Sequence, residues 1–277
     1  MDFKNEIENE CGFHIVKTEG FCAPYKVVEK LKSIAGSTEL AANNGNLLQV
    51  LKNKYNCNSE TCVLSSSEVQ NHIDQNSIKI ILKENFKPLG PKMSRDWLSN
   101  FDIDDVLEQM KKKYKEKYFL HIPFQMRDFE KTGSELSKLD WNAEYSKGFR
   151  TFGTVMNTDY STGRGIHWFA IFGDFLDDSE IFTIEYFNSS GELPLPEVVS
   201  WMKKFKFSLN FEKPVKDVVV TRIVNQQSSS ECGLYSIYYI VSRLHGVPMK
   251  WFEKNRVRDK VMYEFRKYLF RDKDDPN

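Results

Sequence analysis

Cys232 stands directly before Gly233, at the head of a run in which Leu234, Ile237, Tyr238, Val241 and Leu244 recur at intervals of three and four. That period is helical, so the sequence predicts a helix from Cys232 to about Gly246 with the thiol at its first turn. A thiol attacks a carbonyl only as thiolate, and the free N–H groups and positive dipole end of a helix predict a lowered pKa there. Gly233 predicts close approach of a substrate carbonyl to the backbone. The base such a nucleophile needs is His167, set in the apolar run IHWFAIF after the turn STGRG. A histidine in such a run could also be a core residue satisfied by backbone, which leaves the choice to its companions. Asn188 ends IFTIEYFN, 21 positions after His167, where it can orient the imidazole; Glu185 is the nearby alternative. Gln226, six positions before Cys232, is a side-chain amide suited to an oxyanion hole, with Gln227 its rival. Together these residues predict acyl transfer through a cysteine nucleophile.

Rigid elements must hold them. Residues 153–157, 166–172, 181–187 and 218–224 are rich in β-branched and aromatic types and read as strands. Helices are predicted over 25–35, over 104–118 with Asp102 as N-cap, over 197–209 and over 259–270. The fold class is therefore α+β: a cluster of strands with helices around it, one of them carrying the cysteine. Before residue 86 the chain is polar, patchily helical and poor in aromatics; the KPLGP segment at 87–91 then interrupts any regular element. This predicts two domains, an arm over 1–86 and a core over 87–277.

With 40% apolar and 14% aromatic residues, the chain can bury a full core. Its 39 basic and 39 acidic residues cancel, so no global field draws it to nucleic acid or anionic membranes. The start of the chain lacks an apolar signal core, and no stretch reaches the ~18 apolar residues of a membrane span. Five cysteines, an odd number, predict a reducing, cytoplasmic setting with free thiols. Cys57 and Cys62, with His72 ten positions on, lack the second pair of a zinc knuckle, so buried thiols are expected, with a redox pair as the alternative, and no metal or cofactor is needed. His14, His72, His121 and His245 read as surface or capping residues. Lys111, Lys112, Lys113, Lys115 and Lys117 read as a solvated helix face. The Asn188 sequon reads as coincidence, and Gly163 and Gly165 as a turn rather than a phosphate loop.

The pair His167–Trp168, the strand-terminal Asn188 and the Q-x-x-x-x-x-C-G spacing from Gln226 to Gly233 are similar to the signature of the Ulp1-like and adenovirus-protease-like cysteine proteases. NTDYSTGRGIHWFAIF, IEYFNSSG, ECGLYS and CNSETCV extend the resemblance to members that process polyproteins of large DNA viruses. The resemblance implies a Ulp1-like core, a central mixed sheet flanked by helices with the nucleophile at a helix N-terminus, behind a mainly helical arm domain. It implies a Cys232–His167–Asn188 triad, Gln226 at the oxyanion, and Trp168 and Asn157 at the substrate. It also implies cleavage after Gly-Gly in viral structural polyproteins during virion maturation, at assembly sites in the host cytoplasm and in the virion. No nucleic acid or membrane partner is implied. A deconjugase of a ubiquitin-like modifier, or a non-catalytic module that kept the fold, are the alternatives. Many cellular members have Asp where this chain has Asn188, and WLSNFD at 97–102 only loosely echoes their Trp-Leu-Asn-Asp stretch.

Overall fold

The computed structural model describes residues 3–36 and 46–272. Five strands form one sheet in the order β1 (Phe119–His121), β2 (Thr151–Asn157), β3 (Trp168–Asp174), β4 (Phe182–Phe187) and β5 (Val215–Val219). The edge pairs β1–β2 and β4–β5 are parallel and the central pairs β2–β3 and β3–β4 antiparallel, so the sheet is mixed. Both its faces are covered, which is why β2 is buried at every position and β3 reads as a near-continuous apolar run. Side chains alternate across it: Ala170 and Phe172 join a core with Leu234, Ile237, Ile240 and Val241, while Phe169 and Ile171 pack with Trp141, Val198, Trp201 and Phe205.

Helices α1 (Tyr25–Ala35), α2 (Leu47–Tyr55), α3 (Glu60–Ser65), α4 (Ser67–His72) and α5 (Gln75–Asn85) surround a separate buried cluster that includes Val28, Leu31, Leu51, Val63, Leu64 and Phe86. The following helices are α6 (Asn100–Lys113), α7 (Phe129–Thr132), α8 (Trp141–Ser146), α9 (Pro196–Ser208), α10 (Cys232–Leu244), α11 (Met249–Lys254) and α12 (Asp259–Leu269). The N-terminal segment does not stay with the first cluster. Phe3 packs on Phe265 and Tyr268 of α12 with ring centroids at 5.4 and 5.6 Å, and Phe13 lies 5.2 Å from Tyr268. Lys87 Nζ donates to the Glu6 carbonyl at 2.7 Å, tying this segment to the chain that leads into the catalytic half. Among the described residues, no helix is long and apolar enough to cross a membrane.

Four sequence expectations are corrected. Helix α6 starts at Asn100, with Ser99 as N-cap and Asp102 as its capping-box partner: Ser99 Oγ accepts from the Asp102 N–H at 3.2 Å, and the Asp102 carboxylate accepts from the Ser99 N–H at 2.7 Å. It ends at Lys113, because the chain tightens into a 3-10 turn and Tyr118 adopts a left-handed conformation at φ 49°. The last strand occupies 215–219 rather than 218–224, since the Asn225 and Gln226 N–H groups turn to the Ser189 carbonyl beyond the end of β4. The expected free thiols are two disulfides, Cys11–Cys22 and Cys57–Cys62, with Cα atoms 5.1 and 5.6 Å apart; Cys232 is the free cysteine. A turn closed by the Thr18–Phe21 bridge folds Cys22 back onto Cys11, a geometry that spacing alone does not reveal. Finally, His121 is a buried ion-pair partner: its ring nitrogens lie 3.3 Å from Asp104 and 3.4 Å from Glu108. The lysines of α6 are largely engaged too, Lys111 with Glu108 and Lys113 with the Tyr268 hydroxyl.

Candidate active site

The antiparallel register of β3 and β4, Ala170 opposite Phe187, brings the residue just before β3 and the residue just after β4 to the same end of the sheet. Those residues are His167 and Asn188. His167 precedes the strand instead of lying within it, because the Asn157 side chain takes the Ile166 N–H at 3.0 Å and ends the ladder at Trp168. His167 Nε2 lies 2.7 Å from Asn188 Oδ1. Which nitrogen carries the proton follows from Asn188. Its Oδ1 accepts from the backbone N–H of Ser190 at 3.0 Å, and a backbone N–H can only donate. Its Nδ2 donates to the Tyr186 hydroxyl at 3.0 Å, a phenol that burial pushes up to about 12 and keeps neutral. The amide orientation is therefore fixed, His167 carries its proton on Nε2, and Nδ1 is left as the base. The rival Glu185 is committed elsewhere: it is fully buried and accepts from Arg243 Nε at 2.8 Å and the Tyr239 hydroxyl at 2.5 Å, both on α10.

Cys232 is the first residue of α10, which packs across β3, and it is only 2% exposed. The backbone N–H groups of Trp168, the neighbour of His167, of Gly233 and of Cys232 itself favour its thiolate. The start of α10 and the start of β3 therefore lie side by side, with Cys232 on one and Trp168, the neighbour of His167, on the other. The lowered thiol pKa expected from the helix N-terminus is not what the site shows. Burial pushes the Cys232 thiol up, the three N–H groups offset this in part, and the neighbouring Glu231 carboxylate adds to the rise.

Gln226 Nε2 donates to the Ser228 carbonyl at 2.8 Å and its Oε1 accepts from Ser189 Oγ at 2.8 Å, which leaves one N–H of the amide uncommitted. Gln227 is exposed, and its backbone turns to Asp259. Trp168 is 6% exposed, its indole N–H donating to the Leu98 carbonyl at 3.2 Å and its ring edge-on to Phe124. Asn157 is buried at 1%, its Oδ1 holding the N–H groups of Asp159 and Ile166, so its side chain faces the loop that carries His167.

The space above Gly233, expected to admit substrate, is taken by protein: a Cβ there would lie 3.2 Å from Leu98 Cβ and 3.5 Å from Ile103 Cδ1. The segment 97–99 therefore borders the site, with Trp97 47% exposed beside it. The WLSNFD echo was the signal for this, weakened in the sequence by its departure from Trp-Leu-Asn-Asp. Among the described residues, no group of three or more His, Cys, Asp or Glu side chains could hold a metal ion.

The arrangement is that of a cysteine acyl-transfer site, and known proteins match it. The C-terminal catalytic domain of the Ulp1 protease family matches residues 102–277. The chain is 35% identical to a SUMO-1 cysteine protease of African swine fever virus over 95% of both chains. It is 24% identical, over 81% of its length and 74% of the relative's, to a protein of Acanthamoeba polyphaga mimivirus named as a thiol protease. The crystal structure of the African swine fever virus protease superposes with a TM-score of 0.79 at 32% identity, covering 95% of this chain and 96% of the other. The chain belongs to the Ulp1 protease family and is a cysteine protease of that type.

Proposed function

We propose that this chain is an endopeptidase that cuts viral structural polyprotein precursors after Gly-Gly during virion maturation, at assembly sites in the host cytoplasm and in the particle. The observation that carries the reading is a thiol at the start of α10 that is 2% exposed, with Leu98 packed against the neighbouring Gly233 and bonded through its carbonyl to the Trp168 indole. A thiol so enclosed is reached by a chain without side chains, and Gly-Gly is that chain. In this mechanism, His167 Nδ1 takes the Cys232 proton and Sγ bonds to the scissile carbonyl carbon. The uncommitted Gln226 N–H and the Cys232 N–H hold the resulting oxyanion. As the C–N bond breaks, His167 returns the proton to the leaving amine. His167 then deprotonates water, which attacks the thioester and frees the carboxylic acid and the thiol. No step calls on a metal or cofactor.

A second reading is supported by the name of the African swine fever virus relative, a SUMO-1 cysteine protease: release of a ubiquitin-like modifier by the same chemistry. Digestion of a viral polyprotein precursor and a modifier conjugate side by side separates the two. The precursor should be cut at Gly-Gly and the conjugate spared, with Cys232→Ala inactive on both. A cut conjugate beside an intact precursor would reverse the assignment.

A further inference from the structure

We propose that Asp259 is a positioning residue for the oxyanion donor Gln226, holding the loop over residues 226–231 from the start of α12. The inference rests on the reading of Gln226 as that donor.

The loop has little apolar anchorage. Gln227 and Ser229 are exposed and Gln226 and Ser228 half-buried, so hydrogen bonds must fix it. Asp259 supplies them. Its Oδ2 accepts from the Gln227 and Ser228 N–H groups at 3.2 and 3.0 Å, and its Oδ1 accepts from the Tyr235 hydroxyl of α10 at 2.9 Å. One carboxylate thus joins the loop to the helix that carries the nucleophile. The bonds to Gln227 and Ser228 set the peptide planes of the turn and hence the place of the Ser228 carbonyl. That carbonyl accepts from Gln226 Nε2 at 2.8 Å. A carbonyl cannot donate, so this contact assigns the amide and decides where its second N–H points. Without Asp259 the two N–H groups turn to water, the carbonyl swings, and Gln226 loses the partner that aims it.

The loop's far end is held from the same helix. Glu231 is fully buried, accepts from Ser228 Oγ and from Ser230 Oγ at 2.9 Å, and lies 3.7 Å from Arg266 Nη2. Arg266 stands seven residues after Asp259, two helical turns on, so both contacts come from one face of α12. Asp259 touches no reacting atom, and its effect must pass through Gln226.

Asp259→Ala removes both acceptor oxygens and frees the Gln227 and Ser228 N–H groups, which Asp259→Asn would not, since its amide can turn its oxygen to them and donate its NH2 to the Tyr235 hydroxyl. On a Gly-Gly peptide, kcat is expected to fall ~10- to 100-fold, the scale of a displaced catalytic group, with KM within about twofold of wild type. Iodoacetamide labelling of Cys232 should stay within about twofold, since thiolate formation needs His167 and not the loop. In a Gln226→Ala background the same substitution should cost nothing further. An equal loss in both backgrounds, or loss of labelling and Tm in proportion to kcat, would overturn the proposal. If Asp259→Ala does not fold, Asp259→Glu carries the test, with a partial kcat loss that vanishes with Gln226→Ala. The two failures are distinct. Gln226→Ala with full kcat removes the oxyanion reading and this inference with it, whereas impaired Gln226→Ala beside unimpaired Asp259→Ala removes Asp259 alone.

Discussion

Asn188 Oδ1 accepts from three donors: His167 Nε2–H at 2.7 Å, the Ser190 N–H at 3.0 Å and the Ser190 hydroxyl at 2.9 Å. The second makes the first unambiguous. Asn188→Ala should therefore lower kcat ~100-fold, within the range attributed to a correctly held general base, because the imidazole loses both tautomer and orientation. Asn188→Asp keeps an acceptor for His167 and lets the Tyr186 hydroxyl donate to the second oxygen, so it should retain activity within about tenfold. Steady-state kinetics on a Gly-Gly peptide check both, and full activity in Asn188→Ala would end its role.

A thiol whose burial disfavours thiolate cannot rely on its own ionisation. His167→Ala should shift the pH profile of Cys232 alkylation to values above those of an ordinary thiol, with the rate near pH 7 at least ~10-fold below wild type. Stopped alkylation followed by mass spectrometry across pH gives the profile. Equal rates in the two proteins near pH 7 would show that the helix N-terminus activates the thiol alone.

Asn157 was expected at the substrate, yet its amide oxygen faces Asp159 and Ile166 in the loop that carries His167. A loop anchor and a substrate contact differ in kinetics. Asn157→Ala should lower kcat ~10-fold with little change in KM, as a displaced base does. A rise in KM at constant kcat would place Asn157 at the substrate instead.

Stability should carry a signature of His121. Burial pulls its pKa down, but hydrogen bonds and charge from Asp104 and Glu108 outweigh this and leave it raised. Folded His121 then binds its proton more tightly than the unfolded chain does. The stabilisation is complete below about pH 6.5 and is lost as the pH rises through the folded value. His121→Gln should therefore lower the denaturation midpoint clearly near pH 5.5 and only slightly near pH 8.5. A pH-independent difference would assign His121 to packing.

The candidate pair stands out in the sequence because each member breaks a local pattern: a cysteine opens a helical period, and a histidine sits in an apolar run. Asn188 followed from its place at a strand end. The environment of the pair was not legible. The rise in the Cys232 pKa comes first from its burial in the folded core, and Leu98 reaches Gly233 from a segment more than a hundred residues earlier in the chain. Asp259 carries no local pattern at all, since its partners lie in a loop that α12 meets only once folded. The same holds for Cys11 and Cys22, which a turn brings together.

Phe3 and Phe13 rest on Phe265 and Tyr268, side chains of the helix whose first residue is Asp259. The start of the chain thus acts as a strut beneath a lever that reaches the oxyanion loop. Cutting the chain near residue 86 would remove that strut along with any docking surface in the arm. A truncated enzyme slow on short peptides and on polyprotein alike would report a slackened lever, and only a loss confined to polyprotein would report a missing hold on the substrate.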